Sequence, residues 1–517
     1  MATTTIERER KYEVPVDFAM PDLSALAGVV RVDDPAEFEL DATYYDTPSL
    51  RLARHSVTLR RRAGGQDAGW HLKRPADARH PVDGERTETQ EPPRERSAGV
   101  PEALAAQIRA LSRAEPLEPV ARVRTRRLQR PVTGRGGRVL ALLADDVVTS
   151  EALREPVVIQ QWRELEVELV DGPGAILDTV DAALRAAGAR PARLPSKLAH
   201  ALGDRYPKRR ASAGGGATAA RALTGYLRRQ RDAILDTDPG VRATDPAAVH
   251  DMRVAIRRSR ATLRTFGRLL DADGIAPLRE ELRWLGRALG SVRDGDVLAR
   301  RLAQAADAEP AELMVGPVRA GIRERLAVEA ARSRGELGRI LDGDRYLRIL
   351  DGLDALVDGA PPAGVTAKRL RRLAGRALRR ADRRMAAADR ARPRPTRRVP
   401  LPRPATGDPD AVLHEARKAY KRARYAVEML VPLDGRAARR LARRLTAVQD
   451  ALGAHQDAIV AGHLLRDYGM RAHLDGENAF SYGLLCARQR EAASRALDEL
   501  PRTRRRATRR RVRRWLE

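Results

Sequence analysis

The sequence predicts an α+β protein in two domains: an antiparallel, β-rich front and an all-α rear built as a tandem pair of helical bundles. Three observations carry that reading. Hydrophobic periodicity changes from two to about 3.6 residues after roughly residue 170, charge is divided unevenly between the two parts, and the rear part repeats itself.

In the front part TIERERKYEV, SVTLRRRAGG, AGWHLKRP, RVLALLADD and WRELEVELV alternate in polarity between turn residues, so each is expected as a strand. A short helix follows from about Ala175 to Ala187, then a loop carrying Ser196 and Lys197. The small-residue stretch around Gly214-Gly215-Gly216 reads as a linker. Beyond it Ala, Leu and Arg recur at helical spacing, with few β-branched or aromatic residues. Six prolines between Arg392 and Pro409 cannot continue a helix and read as an extended connection. The segments on either side match: VHDMRVAIRRSRATL (249–263) with LHEARKAYKRARYAV (413–427), and LGSVRDGDV (289–297) with LGAHQDAIV (452–460). The offsets, 164 and 163 residues, agree to one indel. The expected boundaries are 1–205 for the front domain, 206–217 for a linker and 218–517 for the helical domain, whose repeats run over about 218–391 and 410–517.

A single cysteine, Cys486, excludes an intrachain disulfide and a cysteine metal cluster. The opening MATTTIERERKYEV has charges where a signal peptide needs an apolar stretch, and apolar runs such as Val139 to Ala144 are too short to span a membrane. A cytoplasmic chain without membrane contact is the expectation. Residues 1–200 hold 30 Lys and Arg against 31 Asp and Glu, a net of −1. The remaining 68 basic and 39 acidic residues give 201–517 a net of +29, so the whole excess lies in the rear. A field of that size repels itself unless a polyanion relieves it.

The rear charges form rows. His250, Arg253, Arg257, Arg260 and Arg264 are spaced 3, 4, 3, 4, and His414, Arg417, Lys421 and Arg424 are spaced 3, 4, 3. That spacing puts each set on one helix face, with Met252, Ile256, Leu263 and Phe266 on another. Arg372, Arg376, Arg379 and Arg383 repeat the device. One isolated stripe reads as a solvated face. Two at matched repeat positions, both opened by histidine, read as a phosphate-binding surface. Aromatics are only 3% of the chain, so stacking platforms for bases are scarce and nucleic acid is expected only as a non-specific ligand.

The blocks VHDMRVAIRRSRATLRTF, ELRWLGRALGSVRDGDVL, LHEARKAYKRARYAVEML and VQDALGAHQD resemble the two halves of a CHAD domain, the conserved-histidine α-helical domain, over roughly 218–517. The resemblance implies a helical bundle pair that binds inorganic polyphosphate in a basic groove. By position, His250, Arg253, Arg257, Arg264, His414, Arg417, Lys421 and Arg424 become its contacts, and the stripe adds Arg260.

In the front domain Glu7, Glu9 and Lys11 point to one side of the first strand, Arg60 and Arg62 share a side of another, and Glu164, Glu166 and Glu168 share a side of a third. Carboxylates about 7 Å apart along a strand repel one another unless cations intervene. Oxygen-only donors of this kind suit Mg²⁺ or Mn²⁺, with guanidinium and ammonium groups holding phosphate oxygens opposite them. A closed barrel with a charged lumen brings the two sets together.

TIERERKYEV carries the ExExK signature of CYTH domains, the triphosphate tunnel enzymes. YYDTPSLRL, TLRRR, GWHLKRP, RTE, RVRTRR, LADD, RELEVEL and PSKL follow in that family's order over about residues 5–202. The resemblance implies an eight-stranded antiparallel tunnel that hydrolyses, or in some members cyclises, triphosphate-bearing substrates with a divalent metal. It makes Glu7, Glu9, Glu164, Glu166 and Glu168 metal-site carboxylates, and Lys11, Arg60, Arg62, Lys73, Arg86, Arg124 and Arg126 phosphate clamps. Glu88 and Asp145 complete the lumen, with Glu7, Glu9, Lys11 and Glu88 as the catalytic set. The register of Arg122, Arg124, Arg126 and Arg127 stays open, as does the choice between Asp145 and Asp146.

The leading expectation is a Mg²⁺- or Mn²⁺-dependent hydrolase of inorganic triphosphate joined to a polyphosphate-binding domain, in the cytoplasm and at polyphosphate granules. Two alternatives stand beside it. One is a non-enzymatic, granule-associated polyphosphate binder; the other is a hydrolase or cyclase of an organic triphosphate, such as thiamine triphosphate or ATP. The sequence fixes no oligomeric state.

Overall fold

The computed structural model describes residues 3–76, 84–92, 99–155, 157–207, 218–270, 274–391 and 409–517. The chain divides into two compact units, Met1–Gly214 and Gly215–Glu517. Most of the expected linker and the Pro/Arg-rich connection lie outside the described residues.

The first unit carries strands β1 (Thr3–Val14), β2 (Arg31–Val32), β3 (Ala36–Asp46), β4 (Thr58–Ala63), β5 (Gly69–Pro75), β6 (Glu85–Glu91), β7 (Glu118–Thr133), β8 (Val139–Ala152), β9 (Ile159–Leu169) and β10 (Arg190–Pro191). The eight long strands pair antiparallel in the order β1-β6-β5-β4-β3-β7-β8-β9, and β9 returns to β1 to close a barrel. The two-residue strands β2 and β10 add to β7 and β1 from outside that ring. Helices α1 (Arg51–Arg54), α2 (Glu102–Ser112), α3 (Ala175–Ala186) and α4 (Lys197–Leu202) complete the unit.

Closure leaves the eight-strand ring without a free edge and gives each of its strands one wall facing inward and one facing outward. An apolar wall faces outward on β1, β7, β8 and β9. Ile176, Leu177, Val180 and Leu184 on α3 pack there against Tyr12, Val132, Leu143, Leu165 and Val167. Leu165 and Leu184 are fully buried, and truncating either to alanine should cost about 2–5 kcal/mol. The inner wall is closed at one end by an apolar cluster. Ala42, Tyr44, Ala121, Val123 and Val148 meet Leu198, Ala201 and Leu202 of α4 there, so this short helix stops the tunnel. Ser196 caps it by accepting from the Ala199 amide at 3.2 Å.

The second unit runs α5 (Ala219–Arg242), α6 (Pro246–Phe266), α7 (Ile275–Asp307), α8 (Val318–Asp342), α9 (Asp344–Asp358), α10 (Ala367–Ala391), α11 (Pro409–Met429), α12 (Val431–Leu474), α13 (Phe480–Asp498), α14 (Leu500–Thr508) and α15 (Arg510–Arg513). Asp245 caps α6, accepting from the Ala247 and Ala248 amides at 2.9 and 3.2 Å, with Pro246 at the first helical position. Helix α6 packs between α5 and α7 as α11 packs between α10 and α12, which is the sequence repeat in three dimensions. The two repeats meet where α6 packs on α11. The C-terminal arginines belong to α14 and α15, which dock on α12, while Leu516 and Val512 are buried. Among the described residues no helix is long and apolar enough to cross a membrane.

Candidate functional site

The inner wall of the barrel lines a cavity of about 290 Å³ whose residues come from β1, β3 to β9, the loop after β4 and the segment that starts α4. Alternation along β1 sends Glu7, Glu9 and Lys11 inward, and the pairing of Glu9 with Glu168 and of Lys11 with Glu166 sets β9 in the same phase. Thr58, Arg60 and Arg62 enter from β4, Lys73 from β5, and Arg86 and Glu88 from β6.

Most charges in the cavity touch their opposite. Lys73 Nζ donates to Glu7 at 2.6 Å and lies 3.7 Å from Glu88. Lys11 Nζ donates to Glu166 at 2.6 Å and lies 3.2 Å from Glu9. Arg127 bridges Asp146 and Glu166 at 2.7 and 2.6 Å. Lys197, delivered by α4, reaches Asp146, Glu164 and Glu166 at 2.9, 2.5 and 2.8 Å. Trp162 donates to Glu164 at 2.6 Å while its ring stacks on His200.

These contacts set the protonation states. Burial alone would lift Glu9, Asp146 and Glu166; the lysine and arginine charges beside them outweigh it and hold all three below the usual carboxylate range. Glu7 behaves oppositely: burial and its hydrogen bond with Glu88 push it up to about 8, despite the Lys73 ammonium. Burial also raises Glu168, which makes no ion pair among the described residues. His71 Nε2 donates to the Asp67 carbonyl at 2.8 Å, and its Nδ1 lies 2.9 Å from Glu88, so a bond across that gap needs one proton on one of the two groups. Burial pushes the His71 ring down to about 4.

The expected residues divide in two. Glu7, Glu9, Lys11, Arg60, Arg62, Lys73, Arg86, Glu88, Glu166 and Glu168 line the cavity, and Glu164 adjoins it through Lys197. Arg124 and Arg126 do not line it. They are exposed on the outer wall beside Asp41 and Glu37, which corrects their reading as clamps. Arg127 is in the opposite phase and takes the inward position. Asp145 is likewise corrected: it faces outward and is paired with Arg163 at 2.9 Å, while Asp146 faces inward. Lys197 and Tyr44 are cavity residues that the expected set omits, although PSKL already contains the lysine.

The carboxylate oxygens of Asp146, Glu164 and Glu166 lie within 4.8 Å of one another, close enough to share one cation. An oxygen-only set with inward carboxylates on both β1 and β9 fits a hard divalent ion such as Mg²⁺ or Mn²⁺.

In the second unit the repeat-matched rows converge. Lys421 on α11 lies beside Arg417 of its own helix and Arg257 and Arg253 of α6; burial and these charges push it down to about 7. Each repeat lays its first arginine over a glycine of the next helix: Arg253 over Gly290, paired with Asp294 at 2.8 Å, and Arg417 over Gly453, 3.5 Å from Asp457. Arg257 donates from Nε to Tyr425 Oη at 2.7 Å. Arg264 approaches Arg380 and Arg279, with Arg422 close by, and Arg260 lies near Arg283. Arg424 turns onto the Tyr425 ring and Glu428, 3.2 Å away. His414 donates from Nδ1 to Gln456 at 2.9 Å, whereas His250 is exposed near Arg293, and burial lowers both rings. The row Arg372, Arg376, Arg379 and Arg383 is exposed on α10, and Arg380 and Arg384 are the α10 residues that approach the trough.

The CYTH domain profile matches residues 5–187 and the CHAD domain profile residues 225–466. Two uncharacterized proteins from strains of Mycobacterium tuberculosis are each 36% identical over 533 residues, covering 96% of this chain and 96% of their own. Among solved structures, PptA from Streptomyces chartreusis is 27% identical, with a TM-score of 0.46, over 56% of this chain and 99% of its own. The CHAD domain from the plant Ricinus communis is 26% identical, with a TM-score of 0.43, over 56% of this chain and 92% of its own.

Proposed function

The chain belongs to the proteins that join a CYTH domain to a CHAD domain, and from that premise we propose that its barrel hydrolyses inorganic triphosphate with a divalent metal while its helical trough binds inorganic polyphosphate. One observation carries the barrel reading: Arg60 and Arg62 each bury an Nε–H that has no acceptor, inside a cavity that already holds five further cationic side chains. A buried donor left without a partner costs about 1–3 kcal/mol, and the oxygens of a bound phosphate chain remove that cost.

Lys11, Arg60, Arg62, Lys73, Arg86 and Arg127 bind and orient the phosphates from opposed walls. The stopped end and the enclosed walls keep bulk water from the reacting phosphoryl group, so each charge acts at low dielectric. Glu7, Glu9 and Glu168 would hold Mg²⁺ or Mn²⁺ on one side of the cavity, with Asp146, Glu164 and Glu166 as a second carboxylate group where Lys197 supplies a cation of the chain's own. A bound divalent ion neutralises charge on the transferred phosphoryl group. Glu7, raised to about 8, keeps a proton near neutral pH in the metal-free cavity, within reach of Glu88.

The trough reading rests on cations gathered with few carboxylates. Arg417 buries an Nε–H without an acceptor, next to Arg253, Arg257 and Lys421. A chain of phosphates without bases matches such a surface, because aromatic stacking partners are few.

The test incubates the purified chain with Mg²⁺ or Mn²⁺ and, separately, tripolyphosphate, ATP, thiamine triphosphate and long-chain polyphosphate. Phosphate release fastest from tripolyphosphate is expected, with long-chain polyphosphate bound and readily displacing labelled DNA. Phosphate or cyclic AMP formed from ATP alone overturns the inorganic substrate, and no turnover of any compound overturns the enzyme.

A further inference from the structure

One cation in the cavity has a partner of a different kind. Lys11, Lys73, Arg127 and Lys197 are paired with carboxylates on barrel strands, whose backbone cannot move without opening the sheet. Arg62 is paired with Asp67, which sits in the loop between β4 and β5 and leaves half of its side chain in water. Arg62 itself is 6% exposed, and Arg60 and Arg127 crowd it with like charge. Its Nε–H still lacks an acceptor, so the aspartate satisfies only part of the guanidinium.

The loop is built to hold that carboxylate near the cavity. Gly64 adopts φ +81°, and a Cβ there would lie 2.0 Å from the Glu39 carbonyl, so only glycine permits the turn. The loop's far side is anchored by backbone: the Asp67 carbonyl accepts from His71 Nε2 at 2.8 Å and from Gln90 Nε2 at 3.1 Å. The carboxylate is therefore the one part of Asp67 free to leave while the loop stays in place.

We propose that Asp67 is an internal anion, standing in for a substrate phosphate on Arg62, which the incoming phosphate chain must displace, so that this residue sets the affinity of the cavity. The inference rests on the triphosphate reading of the barrel and deepens it. A carboxylate and a phosphate oxygen compete for the same guanidinium edge, and the phosphate wins by carrying more charge and engaging the vacant Nε–H. The exchange lowers substrate affinity relative to a cavity without Asp67 and keeps buried Arg62 neutralised between turnovers.

The test measures tripolyphosphate hydrolysis and, by calorimetry, tripolyphosphate binding for the full chain and for Asp67→Asn, Asp67→Glu and Arg62→Ala with and without Asp67→Asn. Because the trough is identical in all of them, differences at position 67 report the barrel. Asp67→Asn is expected to lower KM and Kd by about three- to tenfold with kcat within about twofold, Asp67→Glu to return both toward the parent, and the gain to vanish beside Arg62→Ala. Unchanged or raised Kd in a folded Asp67→Asn chain overturns the proposal. Tighter binding without hydrolysis in any chain supports the proposal and overturns only the hydrolase reading.

Discussion

The barrel cavity and the helical trough both gather arginine and lysine, yet they treat those charges in opposite ways. In the cavity, Lys11, Lys73, Arg127 and Lys197 are matched to carboxylates at 2.5–2.9 Å, and burial does not discharge them: Lys11, Arg127 and Lys197 are held above their ordinary pKa. In the trough, Arg253, Arg257, Arg417 and Lys421 face one another, and the acids nearby, Asp294 and Asp457, each serve one arginine. The difference separates two tasks. Alternating charges can meet a metal and a phosphate together and rearrange around a reaction; massed positive charge can only hold an anion, and holds it better the longer it is.

The sharpest way to break this comparison is to remove one charge from each region. Glu9→Gln should lower triphosphate turnover by at least about a hundredfold, with polyphosphate binding unchanged, and Arg257→Ala should do the reverse. Phosphate release and polyphosphate gel shift on both variants check the division, and loss of both properties in either one ends it.

A smaller effect follows from Lys421, whose pKa near 7 reflects burial among like charges. An anion in the trough favours the ammonium, so binding should take up a proton and strengthen by about three- to tenfold from pH 8 to pH 6. Lys421→Arg should flatten that profile. The linkage with stability has the opposite sense. The unfolded lysine binds its proton up to its ordinary value, so between about pH 7 and 10.5 the folded chain gains stability as pH rises, and Lys421→Met should remove that slope in thermal unfolding.

The trough's two aspartates offer a finer probe. Asp294→Asn with Asp457→Asn should tighten polyphosphate binding by about two- to fivefold at low salt and steepen its salt dependence, read by titration at two ionic strengths. The smallest effect is expected outside both regions. Arg124→Ala and Arg126→Ala should change turnover by less than about twofold and stability by less than about 0.5 kcal/mol, since both side chains are exposed. Arg127→Ala, one residue away, should be severe.

That last contrast shows how far the sequence could be read. Alternation on β1 and β9 puts Glu7, Glu9, Lys11, Glu166 and Glu168 on the cavity wall, because the carboxylates of each strand share one phase. On β7 five arginines occupy both phases, and charge alone does not say which faces inward. The usable signal was the apolar phase: Ala121 and Val123 line the stopped end of the tunnel, and stepping on by twos gives Thr125 and Arg127. The same rule separates Asp146, in phase with Val148, from Asp145, in phase with Leu143 beneath α3. Asp67 was not legible at all. Its role depends on a loop folding back onto a strand, which no period encodes. The helical rows were easier, since repeat-matched positions name the facing residues before any packing is known. Arg424, folded onto Tyr425, is the exception.

The packing of α6 on α11 has a consequence for each repeat taken alone. Both are the same helix of a duplicated unit, and each brings a similar row of charges to the seam, His250, Arg253, Arg257 and Arg260 answering His414, Arg417, Lys421 and Arg424, while Arg264 answers Glu428. Such a seam is the kind two identical subunits form about a twofold axis, so one repeat alone presents only half of the converging cations. The two halves differ at matched positions, where Arg257 answers Lys421 and Arg293 answers Gln456.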